Sequence, residues 1–564
     1  MNNKIFKINF GNSTFLLFTF FFILNIWHPF SLGFFADDWN YITHYKFLAQ
    51  LPENPFNYNI FNYFLQCFGN RPVVSLTFYL GYSICGGTNF VLWQFWTLIL
   101  WLLSIFTFRL VSKEFFKILG YCKNSFLQEF ATVIFGLSPW MMAYNHWISL
   151  SMNLPFLIFF NLAIYYFLKS YQNHETYFFR SAFFLLLSYL SYEAFYFQWF
   201  LFLIFVFKYK GFRKVYHKNI LIPFVLFSFV QIVVILWNRI SIPFFKYIVI
   251  KSLDPYTLQL FVANLLSLPY VWIASFVIGS IILIPLLIFI IVKIFKYNKA
   301  NHLARNEIML LSTIFVLGLL LSLALFAVAG YSIWGLGMRS RTMIVFAWYL
   351  SLYIGYLVLF VDYHKVIFSK TIYAIVIIII VDLTFSNIQN SLDWRTTWEI
   401  EKEVIAKIPT RKILSTDKNA IILVNLPYKY HWISLFDYQW SINAQMNYGK
   451  SVIFKSNYDT TFFRFFFVGN NIIHPIKNVP VVNYWNGKEL FQFYDMPKKN
   501  KEDDLKGYFY TREFKMSGSE LWVWNYPENT FTKITNNEKF EFEKIKNYDY
   551  WITYLYNKFK GLEH

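Results

Sequence analysis

Long apolar runs, broken by short polar stretches, dominate the first two thirds of the chain. Runs of this length read as membrane-spanning helices, because about 20 mainly apolar residues cross the hydrocarbon core. About eleven are expected, at roughly 14–33, 90–108, 127–143, 150–168, 180–193, 195–208, 219–237, 265–295, 309–329, 342–361 and 370–387. The 265–295 run is too long for one upright helix and is expected to begin with an interfacial piece broken at Pro269. The 180–208 run reads as a tight helix pair turning near Glu193. Beyond residue 388 the pattern changes. Short β-branched and aromatic runs alternate with turn residues, as in Ala420–Leu426, Ser451–Lys455, Phe462–Val468, Glu489–Tyr494 and Glu520–Asn525. The expected architecture is a polytopic α-helical membrane domain, residues 1–388, followed by a soluble β-rich or α/β domain, residues 389–564.

Composition agrees. Of the 564 residues 57% are hydrophobic and only 14% charged, against about 25% charged in an ordinary soluble protein. The net charge of +19 raises nucleic acid as a partner. The placement of the cations argues against it, because they sit in short loops between apolar runs. With the N-terminus inside, Arg109, Lys113 and Lys117, then Lys208 to Lys218, Lys293 to Arg305, and Lys365 with Lys370 all fall on the inner side. The loop 34–89 and everything after about 388 then lie outside. The tempting run 71–86 is kept as amphipathic or re-entrant structure, since counting it as a span would turn the later basic loops outward. The first run lacks a small-residue cleavage site and reads as an uncleaved span. Three cysteines make no disulfide framework or metal motif, and a Cys67–Cys85 bridge, though possible in an outer loop, is not favoured.

Acids beside membrane segments are costly and therefore informative. Asp37 and Asp38 follow the first span directly, in Phe35-Ala36-Asp37-Asp38-Trp39. Glu193 lies at the outer turn of the helix pair, while Glu114, Glu129, Glu175 and Glu307 fall at inner positions. Arg71, Arg239, Arg339 and Arg341 also fall at the outer level. Charges of both signs at one membrane level suit a site that handles a charged group at the headgroup plane. Plainer readings stand beside this one. Acids also cap helix N-termini, and arginines, Trp39, Tyr41 and His146 also serve as interfacial anchors.

The order and sidedness of these motifs resemble the GT-C superfamily of integral membrane glycosyltransferases, which includes protein O-mannosyltransferases and aminoarabinose transferases of lipid A. The match consists of Phe35-Ala36-Asp37-Asp38-Trp39 after the first span, Asn70-Arg71-Pro72, Ser191-Tyr192-Glu193, and Gly335-Leu336-Gly337-Met338-Arg339-Ser340-Arg341 late in the membrane domain. The recognisable signature of an oligosaccharyltransferase is missing, and that branch is disfavoured. The resemblance implies a sugar donor on a polyprenyl phosphate and a lipid, glycan or protein acceptor. It implies Asp37 or Asp38 as the base, with Asp37 favoured, and Arg339, Arg341 and, more weakly, Arg71 on the donor phosphate. Glu193, Trp39, Tyr41 and His146 are the substrate-binding candidates. No obligatory cofactor is expected, although some relatives use a divalent cation. A bacterial inner membrane, with the active face outward, is the expected location. A lipid-linked glycan polymerase or ligase, or a transporter, is the alternative. A transporter would place its charges and broken helices near mid-membrane, and a polymerase would carry its main charged loop late in the chain.

Overall fold

A computed structural model describes residues 12–35, 38, 41–42, 60–87, 89–121, 125–170, 177–208, 217–240, 255–277, 283–298, 302–328, 333 and 337–407, and beyond these only the strands named below. The chain divides into two compact units. One comprises Met1–Gly33 with Leu48–Ser391, and the other Phe34–Phe47 with Leu392–His564.

The first unit is helical. Its helices of eight or more residues are α1 Asn12–Asn25, α2 Ile60–Cys67, α3 Pro72–Cys85, α4 Phe90–Ile118, α5 Ser125–Leu137, α6 Pro155–Ser170 and α7 Tyr177–Tyr189. They continue as α8 Trp199–Lys208, α9 His217–Ile240, α10 Pro255–Val277, α11 Leu283–Asn298, α12 His302–Val328, α13 Ile344–Tyr363 and α14 Ser369–Lys407, the last running on into the second unit. Among the described residues, six stretches are long and apolar enough to cross a bilayer: Thr14–Ser31, Phe90–Ile118, Ile148–Ser170, Asn306–Val328, Ser340–Tyr363 and Ser369–Glu403. With the composition, they identify an integral membrane protein.

Two expectations change. The 265–295 run is divided between α10 and α11, and Pro269 lies inside α10 instead of breaking it. A proline removes one backbone hydrogen bond, but apolar helices accommodate it when neighbours re-satisfy the freed carbonyl. The last span also continues far past residue 387, to Lys407. The 71–86 run forms α3, whose 14 residues fall short of the length a span needs. Val74, Ser75 and Phe78 face inward from it. Cys67 and Cys85 are free thiols.

Helix α13 is the axis of the helical unit, with nearly every residue buried. Trp348 on it is ringed by Phe108, Phe160, Phe195 and Phe202, all with ring centroids within 6.1 Å. Where Gly355 faces α5, a Cβ would lie 2.6 Å from that of Ala131, so close helix contact requires glycine there. Polar pins cross the apolar core. The Trp348 indole donates to Asn161 Oδ1 at 2.7 Å, and Asn161 Nδ2 donates to Thr107 Oγ1 at 3.1 Å.

In the second unit, β1 Ala420–Asn425 lies parallel to β4 Phe463–Phe467 on one side and to β8 Glu520–Asn525 on the other. The antiparallel strand β9 Thr530–Ile534 completes the order β4-β1-β8-β9. A second sheet is antiparallel, in the order β10-β5-β6-β7, from Lys539–Phe540, Val481–Trp485, Glu489–Asp495 and Tyr508–Lys515. The strands β2 Lys429–Tyr430 and β3 Ile433–Ser434 form a small hairpin. Four of the five runs read as strands in the sequence lie on β1, β4, β6 and β8, and 451–455 is outside the described residues.

Candidate functional site

One end of the helical unit collects the polar residues that follow or precede the long helices. Arg71, the residue before α3, forms a two-pronged ion pair with Glu193 in the turn after α7. Its Nε and Nη2 donate to the two carboxylate oxygens at 3.3 and 2.9 Å. The side chains are 27% and 33% exposed. The Arg71 guanidinium also lies 4.5 Å from the centre of the Tyr192 ring. Arg and carboxylate match as fork to fork, so Glu193 fixes the direction of Arg71 and cancels its charge.

Arg341 sits in the 3₁₀ turn Gly337–Met343 that leads into α13, with its guanidinium 5.7 Å from the centre of the Trp147 ring. That turn packs against the short helix Met142–His146. Tyr144 on this helix is fully buried, and both Arg341 and Arg71 act electrostatically on its phenol. Burial, helped by neighbouring Tyr192, nevertheless pushes that phenol well above its usual range, so it remains a protonated donor.

Behind this end lies a buried cluster of hydrogen-bonding groups. A backbone carbonyl can only accept, so His146 Nδ1, 2.6 Å from the Met142 carbonyl, carries a proton. The Ser391 hydroxyl donates to the Asn387 carbonyl at 2.9 Å, and its oxygen lies 2.9 Å from His146 Nε2 and 3.1 Å from His28 Nε2. Asn145 Nδ2 lies 3.4 Å from His28 Nδ1 and donates to Asn25 Oδ1 at 2.8 Å. The first span, the 138–147 turn and α14 are joined by this cluster. Gln94 Nε2 adds a clamp, donating to the carbonyls of Gly33 at 2.8 Å and His146 at 3.1 Å. Gly33 immediately precedes the acid-bearing segment.

Within the second unit, Asp38 is fully buried. Its Oδ2 accepts from the Phe35 N–H at 2.9 Å, and its own N–H donates to the Phe35 carbonyl at 2.8 Å, closing a tight turn. The Phe35 ring stands edge-on to Trp394 at 4.8 Å and Trp398 at 6.2 Å, so the far part of α14 anchors the segment. Tyr41 is half-buried nearby in the sequence. Asp37 and Trp39 lie outside the described residues, as do the side chains of Arg239 and Arg339.

The structure thus brings Arg71, Glu193 and Arg341 to one end of one unit. It makes Asp38 the closing residue of a turn. His146 is fully enclosed, and both of its ring nitrogens have partners within the protein. Gln94, His28, Tyr144 and Ser391 carry no sequence signal beyond being polar residues within or beside apolar runs. Among the described residues no group of three His, Cys, Asp or Glu could hold a metal ion. A small apolar cleft opens among α4, α8, α12 and α13, lined by Phe115, Phe202, Leu311, Trp348, Tyr353 and Tyr356 among others. With no carboxylate in its lining, it is not a place for acid–base chemistry.

No protein-family model and no curated protein sequence matches the chain. Among solved structures, it is similar to the Archaeoglobus fulgidus oligosaccharyltransferase tethered through a disulfide bond to an acceptor peptide containing the NVT sequon. The TM-score is 0.41 and the identity 12%, over 77% of this chain and 62% of that one. The chain spans less than two thirds of that protein's length.

Proposed function

We propose that this protein is a GT-C-type membrane glycosyltransferase that moves a sugar from a polyprenyl-phosphate donor to a lipid, glycan or protein acceptor. In this reading the acceptor hydroxyl oxygen bonds to the anomeric carbon as the bond from that carbon to the phosphate oxygen breaks. The hydroxyl proton passes to Asp37, and the lipid phosphate leaves with the electron pair. Asp38 shapes the segment that presents Asp37, while Trp39 and Tyr41 offer ring faces to the sugar. Arg341, with Arg339 two residues before it, stabilises the charge growing on the phosphate. Arg71, held by Glu193, adds a directed but charge-compensated donor. The reading assigns no resident cofactor, and a divalent ion at the acid pair is left to experiment.

The observation that carries this reading is the gathering of Arg71, Glu193 and Arg341 at one end of the helical unit, with Arg109, Lys113 and Glu129 paired towards the other. A phosphate bound at Arg341 would send its tail along α13. Trp348 is seven residues on, about 10 Å at the helical rise, and there the apolar cleft begins. The positive-inside count favours eleven spans with the N-terminus inside and the arginine end outside, in a bacterial inner membrane. For that count to hold, α10 lies along the outer surface and α11 crosses. The C-terminal unit, residues 389–564, then works on the outer side.

The test uses membranes supplied with a radiolabelled polyprenyl-phosphate sugar pool. Wild type transfers label to an acceptor, and Asp37→Asn and Arg341→Met do not, while both variants remain folded in detergent. Wild-type-like transfer by both variants would overturn the mechanism. A topology map with residues 36–70 on the inner side would overturn the function.

A further inference from the structure

We propose that the Tyr144 hydroxyl is a third donor, beside Arg341 and Arg71, to the phosphate of the lipid-linked sugar donor. This rests on the reading of the site given above. The hydroxyl is buried and makes no hydrogen bond within the protein. An enclosed hydroxyl with no partner is costly, and a bound group that supplies the missing partner is one of the explanations such a hydroxyl calls for. Here the surroundings say what kind of group that is. The short helix bearing Tyr144 packs on the turn that carries Arg341. The rings of Tyr144, Phe156 and Tyr192 follow one another at 6.1 and 5.4 Å, and the Arg71 guanidinium caps the far ring. Both half-buried guanidiniums bear on the phenol electrostatically. A hydroxyl that can donate, in the field of two cations, selects an anionic oxygen. At the membrane level of these helix ends, that oxygen belongs to a lipid phosphate.

Neither His146 nor Ser391 can play this part, since their polar atoms are used in the buried cluster. Tyr144 differs because it alone of the 144–146 triplet leaves its side-chain hydrogen unassigned. Its contribution is to binding and orienting the phosphate, so it is felt in the ground state as well as when the bond to the sugar breaks.

The experiment measures the thermal unfolding shift of the full chain, purified in detergent, on titration with polyprenyl phosphate. Uncharged polyprenol, inorganic phosphate and phosphatidylglycerol serve as separate arms. Wild type is stabilised by polyprenyl phosphate and far less by the other three. Tyr144→Phe removes the hydroxyl alone. Its ligand-free unfolding temperature is unchanged or slightly higher, and its affinity for polyprenyl phosphate falls about tenfold to a hundredfold, the range for a hydrogen bond to a charged group. Wild-type affinity in Tyr144→Phe would overturn the inference. So would a clear loss of ligand-free stability or of folding, which would mean that the hydroxyl has a structural partner. If Arg341→Met loses the lipid phosphate and Tyr144→Phe keeps it, the site reading stands and only Tyr144 is removed from it. If wild type itself responds equally to inorganic phosphate, or to none of the four, the reading of the site falls and this inference with it.

Discussion

Towards one end of the helical unit, Glu129 is gripped by Arg109 through two bonds of 2.7 and 2.6 Å and by Lys113 at 2.7 Å. Nearby, Glu307 accepts from the hydroxyls of Tyr121 at 2.7 Å and Tyr356 at 3.0 Å. At the opposite end Arg71 is paired with Glu193 but half-exposed, Arg341 rests on an aromatic ring, and Tyr144 has a hydroxyl with no internal partner. The residue types are the same, and their state of satisfaction is not. The first cluster is closed: its cations and carboxylates complete one another and leave nothing for a ligand. The second is more open: its two guanidiniums are only half-buried, and the Tyr144 hydroxyl makes no hydrogen bond within the protein.

That contrast predicts that variants at the open end lose activity and keep stability, whereas variants at the closed end do the reverse. The largest effect is expected after the first span. Asp37→Asn should lower transfer by about 10²–10⁴-fold, the usual contribution of a positioned base, with an unchanged unfolding temperature. At the open end Arg341→Met should lower kcat/KM for the lipid-linked donor by about 10²–10³-fold, and added salt should not restore it. At the closed end Arg109→Met leaves Glu129, only 9% exposed, with Lys113 as its remaining cation. It should cost about 3 kcal/mol of stability, towards the lower edge for a broken buried pair, measured by chemical unfolding in detergent. Activity per folded molecule should be that of wild type, and a loss of activity without a loss of stability would erase the distinction between the ends.

The buried cluster gives a pH test. Burial lowers the His146 pKa to about 4 from 6.5. Between those values the unfolded chain binds more protons than the folded one, so stability rises with pH. It should be flat above pH 6.5 and fall steadily as the pH drops towards 4, and His146→Gln should lessen that fall without abolishing it, because a second imidazole, His28, is buried against His146. The smallest effect is expected at the exposed pair. Glu193→Gln should cost under about 1 kcal/mol but raise KM several-fold, because it frees Arg71 to turn. A kcat change with KM constant would move Glu193 from orienting Arg71 into the chemistry itself.

How much of this was legible in the chain differs by element. Helices α4, α6, α12 and α13 could each be recognised, because each contains an apolar run of bilayer length, although α4 runs on ten residues past the expected end to Ile118 and α12 starts earlier, at His302. The turn at Glu193 was legible as well, since a single acid interrupts a short apolar pair. The division of 265–295 into α10 and α11 was not, because a membrane helix tolerates the proline that would end a soluble one. The extension of α14 to Lys407 was hidden too: its last turns are polar and charged, with no hydrophobic period to extend.

Arg71, Glu193 and Arg341 were each visible as charges at one level, but their relations were not. Arg71 and Glu193 are 122 residues apart and His28 and Ser391 are 363 apart, and no local pattern can encode which of several charges at the same depth will meet. The sequence by itself determined that the chain enters a membrane, because that depends on the cost of placing each residue type in hydrocarbon. Only the tertiary structure decided that Glu193 is spent on Arg71, that His146 is enclosed beside His28 and Ser391, and that the Tyr144 hydroxyl makes no hydrogen bond within the protein, because hydrogen bonds are satisfied or refused by geometry over a few ångströms between helices far apart in the chain.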